Sequence, residues 1–109
     1  MLSWFSNKKH PEFWLSYVAT FKDKPSANLE ETRFVVFDTE TTGIQPKTDR
    51  VLSIGAVSVI GNTIHVSDVY ERFLIQEKFN TDTVEIHGIL KGGEQQKLTE
   101  SNAVEGFLN

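Results

Sequence analysis

Two carboxylates, Asp38 and Glu40, stand two residues apart between an apolar run, Phe34-Val35-Val36-Phe37, and the polar stretch Thr41-Thr42-Gly43. The run is rich in β-formers, and in an extended strand residues two apart point to the same side. Asp38 and Glu40 therefore project together. Two like charges held side by side repel, and a fold keeps them there most readily when a cation neutralises both. Oxygen-only ligands suit Mg²⁺ or Mn²⁺ rather than a soft metal. Two such ions, roughly 3.5–4 Å apart, can activate a water and stabilise the leaving oxygen of a phosphodiester. An Asp-x-Glu pair taken alone commonly just faces solvent. Here the hydroxyls of Thr41 and Thr42 can donate to a sugar-phosphate backbone, and Gly43 allows its close approach.

The elements that would position this pair are legible from patterning. Phe34–Phe37 is short, continuous and apolar, as in a strand buried on both faces. Gly43, Pro46 and Asp49 mark a loop, and Val51–Ile60 is a second apolar, β-branched run in which Gly55 has a structural part, easing helix–sheet packing or a strand bend. Gly61-Asn62 predicts a tight hairpin, with a more polar third strand over Thr63–Ile75. Ahead of the sheet, Pro11–Phe21 carries Phe13, Trp14, Tyr17, Val18 and Phe21 at helical spacing. This aromatic helix is expected to pack on the domain or to dock a partner, and Trp4 would join its surface. A polar linker, Lys22–Thr32, separates it from the strands. Further on, Thr83–His87 predicts a short turn ended by Gly88, and Lys91–Lys97 a polar connection. Thr99 can cap a helix whose apolar positions are Val104, Phe107 and Leu108. That helix has barely two turns before Asn109, so the chain is expected to be the front part of a larger α/β domain.

Phe37-Asp38-Thr39-Glu40-Thr41-Thr42-Gly43, followed by Asp49-Arg50-Val51-Leu52-Ser53-Ile54-Gly55-Ala56-Val57, resembles the first motif and next strand of the DnaQ-like DEDD 3′–5′ exonucleases. That family includes the proofreading epsilon subunit of bacterial DNA polymerase III. Ile86-His87-Gly88-Ile89 is similar to the His-Gly-Ile segment that these enzymes place beside the 3′-terminal nucleotide. The resemblance runs from Phe34 to Asn109. It implies a ribonuclease H-like α/β fold, truncated to its first three antiparallel strands with flanking helices. It also implies that Asp38 and Glu40 hold two divalent ions, Mg²⁺ or Mn²⁺, and that Thr41, Thr42, Gly43 and His87 bind the substrate. The activity implied is release of nucleotides from the 3′ end of single-stranded DNA. Family members draw a third carboxylate from a second motif, then a His and a final Asp from a third, and these are expected beyond Asn109. His10, His65 and His87 do not stand in a His-x4-Asp arrangement, so the general base is not assigned among them. The isolated 109-residue chain is accordingly expected to have little activity of its own.

Composition narrows the range of functions. The chain has 109 residues, a net charge of −4 and no cysteine, which excludes disulfides and thiolate metal sites. The negative balance argues against a module that grips nucleic acid through a broad basic face, but not against a carboxylate-built metal site. No segment reads as a signal peptide or a membrane span, so a cytoplasmic protein is expected. A haloacid-dehalogenase-type phosphatase would want Asp at the position of Glu40 and a parallel sheet. RNA trimming by the same fold, and a non-catalytic scaffold remnant of it, are compatible with the same residues. Division at residue 32/33 gives an N-terminal helix and linker (1–32) and an exonuclease part (33–109). A polymerase, or a second copy of the chain, is the expected partner of the aromatic helix.

Overall fold

The β-branched and aromatic runs do form strands. A computed structural model of the protein describes residues 9–25, 27–76 and 96–109. Its elements are helix α1 (Glu12–Ala19) with a 3₁₀ turn (Thr20–Lys22), strands β1 (Arg33–Thr41), β2 (Val51–Ile60), β3 (Thr63–Leu74) and β4 (Lys97–Leu98), and helix α2 (Glu100–Leu108). The sheet order is β1-β2-β3-β4, with β1, β2 and β3 antiparallel and β4 parallel to the end of β3. This mixed α/β arrangement is consistent with the opening part of a ribonuclease H-like exonuclease fold. The hairpin between β2 and β3 turns at Gly61, whose φ of +58° has the sign a II′ turn needs at its first central position. The expected turn Thr83–His87, the segment Ile86–Ile89 with His87, and Trp4 lie outside the described residues. No helix among the described residues is long and apolar enough to cross a membrane.

Facing partners of an antiparallel pair put their side chains on the same side of the sheet, so the register sorts the sheet into two faces. One carries Phe37, Ala56 and Tyr70, with Ile54, Leu52 and Leu74 alongside. Helix α2 covers it. Thr99 caps α2 by accepting the Asn102 amide, and Ala103 seats against Ile54 and Leu74 in the buried core. Tyr70 fastens the helix by donating its hydroxyl to the Ala103 carbonyl at 2.6 Å. Gly106 makes room for that contact, since a Cβ there would lie 2.9 Å from the Tyr70 hydroxyl. Phe107 stacks obliquely on Phe37 and Tyr70.

Two expectations are corrected here. The apolar run of β1 is not buried on both faces: Val36 and Phe37 are 57% and 58% exposed. Among the described residues the sheet has a helical layer on one face only, and β1 is an edge strand with β2 as its one neighbour. The aromatic helix is shorter than Pro11–Phe21, with Pro11 outside it at the N-cap. No residue of α1 is fully buried. Its rings pack on each other, Trp14 on Tyr17 at 5.7 Å and Tyr17 on Phe21 at 5.1 Å, while α1 rests against α2.

Candidate functional site

The face opposite α2 carries the two candidate carboxylates. Asp38 pairs with Gly55, and Glu40 with Ser53. Across β2, Gly55 pairs in turn with Glu71. A row Asp38–Gly55–Glu71 therefore crosses three strands, with a glycine in the middle. A Cβ built on Gly55 meets nothing within 4 Å. Among the described residues this glycine relieves no contact, so helix–sheet packing, one of the two roles expected of it, is not what it serves there. It leaves a gap beside Asp38. Among the described residues neither the Asp38 nor the Glu40 carboxylate has a hydrogen-bond or ion-pair partner. Asp38 is exposed and Glu40 half-buried.

These two carboxylates fit a hard divalent cation in oxygen type, shared face and freedom from competing partners. They form a pair only. Among the described residues there is no group of three His, Cys, Asp or Glu able to hold a metal. A complete ligand set therefore needs donors from elsewhere.

The loop after Glu40, where Thr41, Thr42 and Gly43 are expected to bind the substrate, is held by contacts of its own. The register of β1 on β2 shifts between Glu40 and Thr41. Thr41 donates its hydroxyl to the Gly43 carbonyl at 2.7 Å, which leaves the oxygen free to accept. Thr42 is buried, only 1% exposed. Its hydroxyl donates to Asp49 Oδ1 at 2.9 Å and accepts the Arg50 amide at 3.0 Å, so it ties the loop to the start of β2. Gly43 does permit a close approach, but the group that approaches is the Asp49 carboxylate, 2.5 Å from where a Cβ would stand. Asp49 is the residue that sequence reasoning passed over as ordinary loop. The signal available was a lone acid immediately before a strand, in a loop where Asp commonly bonds nearby backbone amides. Ile44 was passed over as well, and it is 91% exposed beside a cleft of about 430 Å³ that Thr41 and Arg50 also line.

Comparison with known proteins places this geometry. The family model described as "Exonuclease" (RNase_T) matches residues 35–109. The chain belongs to this exonuclease family. The match covers β1 with its carboxylate pair, the rest of the sheet and α2, while α1 lies before it. The chain is also similar to a protein named DNA polymerase III PolC-type from Thermotoga maritima, 32% identical over 78 residues. That stretch is 72% of this chain and 5% of the relative, so the chain spans about one twentieth of the relative's length. Exonuclease membership makes a phosphatase of the haloacid dehalogenase type untenable, as does the antiparallel sheet.

Proposed function

We propose that this exonuclease domain removes nucleotides from the 3′ end of DNA and that Asp38 and Glu40 form the first half of its two-metal site. The observation that carries the reading is the pair of unpartnered carboxylates on one open face, beside the gap at Gly55. When bound, Mg²⁺ or Mn²⁺ would supply a polarised phosphate and an activated water. Asp38 and Glu40 contribute oxygens that neutralise that charge and set its place at the end of β1. Thr41, with its oxygen free to accept, can take a hydrogen bond from a sugar hydroxyl, and His87 is assigned to the same terminal nucleotide. The relative named as a DNA polymerase favours DNA over RNA and a polymerase as the functional partner, with α1 as the docking helix. We place the domain boundary at residue 32/33 and the protein in the cytoplasm.

The test is nucleotide release from a 3′-labelled single-stranded oligonucleotide by the full-length protein with Mg²⁺. Removing a metal-stabilising carboxylate forfeits several kcal/mol, so Asp38→Asn and Glu40→Gln should each lower kcat by about a hundredfold or more. Undiminished release by Asp38→Asn, or release from the 5′ end, would contradict the proposal.

A further inference from the structure

Asp49 is a further acid nine residues after Glu40, of a residue type that could bind a metal. The geometry points elsewhere. We infer that Asp49 is a positioning residue: its carboxylate fixes the Thr41–Gln45 segment on which the terminal nucleotide of the proposed exonuclease is seated.

Both carboxylate oxygens face into the loop. Oδ1 accepts the Thr42 hydroxyl at 2.9 Å, and Oδ2 accepts the Gln45 amide at 2.8 Å. The Asp49 amide donates to the Gln45 carbonyl at 2.8 Å, so backbone and side chain grip the same residue. Thr42 is tied to the start of β2 as well, through its amide to the Arg50 carbonyl (2.9 Å) and through the Arg50 amide to its hydroxyl. Gly43 lies flat against the carboxylate, with no room for a side chain between them. The loop is thus wound around one anchor, directly after the bulge that follows Glu40. Charge-assisted hydrogen bonds on both oxygens hold the carboxylate to residues 42 and 45 of the loop. It governs the path of residues 41–45, the wall of the cleft beside Thr41 and Ile44.

Asp49→Asn keeps the shape but replaces one acceptor with an NH₂ group. With the amide oxygen kept on the Gln45 amide, the NH₂ faces the Thr42 hydroxyl, which can accept from it but loses the carboxylate that took its own proton, and both bonds lose their charge assistance. The loop loosens while Asp38 and Glu40 stay in place.

Three measurements on the full-length protein separate the roles: Mn²⁺ affinity by calorimetry, affinity for a 3′-labelled oligonucleotide with Ca²⁺ in place of Mg²⁺, and kcat and KM for nucleotide release. The inference rests on the exonuclease reading, and the binding measurement keeps the two distinguishable. Asp49→Asn should bind Mn²⁺ as the wild type does, yet bind the oligonucleotide about tenfold more weakly, in line with one charge-assisted hydrogen bond. KM should rise by the same factor with kcat nearly unchanged, and Asp49→Glu should not restore it, because the longer side chain cannot occupy the same seat. Asp38→Asn should instead lose Mn²⁺. If Asp49→Asn loses Mn²⁺ as Asp38→Asn does, Asp49 is a ligand and the inference is wrong. If the folded variant keeps wild-type oligonucleotide affinity and KM, Asp49 merely packs the loop, and the inference is equally wrong. A wild-type protein that binds the oligonucleotide but releases nothing would overturn the exonuclease reading, while the comparison with Asp49→Asn still decides the positioning role. A wild type that does not bind it overturns both.

Discussion

Replacing Gly55 with valine should make the protein more stable and disable it. Gly55 sits in the interior of β2, where glycine is roughly 0.5–1 kcal/mol less favourable than alanine, and β-branched residues suit strands better still. A Cβ at this position meets nothing within 4 Å, so no clash offsets the gain. The melting temperature should therefore hold or rise by a few degrees. The cost falls on Asp38, the direct cross-strand neighbour. Side chains so paired have Cβ atoms about 4.5–5.5 Å apart, and the two valine methyls reach further into the space between them. Ligand oxygens of Mg²⁺ lie about 2.0–2.1 Å from the ion, which also keeps several waters. The methyls would fill the gap beside Asp38 in which the proposed site would seat such an ion and its waters. Displacing reacting groups by about 1 Å can cost a hundredfold in rate, and kcat/KM should fall by at least that much. Gly55→Ala, adding one carbon, should fall between the two. The assay pairs thermal unfolding with nucleotide release by the full-length protein. Wild-type activity in a stabilised Gly55→Val protein would refute the reasoning, because the metals would then lie away from the gap. A variant that unfolds would refute it too, because the space beside Asp38 would not be open.

Two further outcomes follow from the same contacts. Gly43→Ala drives a methyl into the Asp49 carboxylate and should cost about 1–3 kcal/mol by breaking its hydrogen bonds. In an Asp49→Ala background the same change should cost much less, a coupling that a double-mutant cycle in urea measures directly. Burial pushes the Tyr70 hydroxyl above its ordinary 10.0, a shift that the Arg72 guanidinium over its ring only partly opposes. The folded state thus holds this proton more tightly than the unfolded one. Its contribution is complete below pH 10.0 and is lost as pH rises through the folded-state value. Tyr70→Phe should destabilise by about 1 kcal/mol at neutral pH and flatten the alkaline loss of stability, as followed by urea unfolding between neutral pH and the alkaline limb.

Features that repeat along the chain were legible in the sequence; those made by one long-range contact were not. The β-branched runs located β1, β2 and β3, Gly61-Asn62 located the hairpin, and Thr99 located the start of α2. Strand β4 escaped because two residues, Lys97 and Leu98, carry no period, and only their register beside Phe73 and Leu74 makes them a strand. The burial of β1 was overestimated because an apolar run says what a strand could bury and not which layers lie over it. In the site, Asp38 and Glu40 were legible because their spacing is that of the strand itself. The bonding of Thr42 was not legible, for the converse reason. A threonine beside a glycine looks the same whether its hydroxyl turns to a ligand or to Asp49, seven residues away. Only the fold of the loop distinguishes the two.

The repulsion between Asp38 and Glu40 is too small to mark the site by itself. Residues two apart in a strand are separated by roughly 6.6 Å. Two unit charges at that distance repel by roughly 0.6 kcal/mol in water and 2.5 kcal/mol at an effective dielectric constant of 20. Asp38 is exposed, which puts the cost near the lower figure, and a surface can tolerate that without any cation. The distinguishing feature is how the surroundings are arranged. A solvent-facing acidic pair in a sheet is ordinarily met by long polar or oppositely charged cross-strand neighbours, since such pairs stabilise the sheet. Here the neighbours are Gly55 and Ser53. The stabilisation that a lysine or arginine opposite Asp38 would bring is forgone, and a glycine that weakens the strand occupies the place. Arg33 on the same strand is instead paired with Asp68, at 2.8 Å. Among the described residues, two acids clear of cationic side chains stand next to an open gap, and that arrangement, rather than their repulsion, is what supports the proposed cation site.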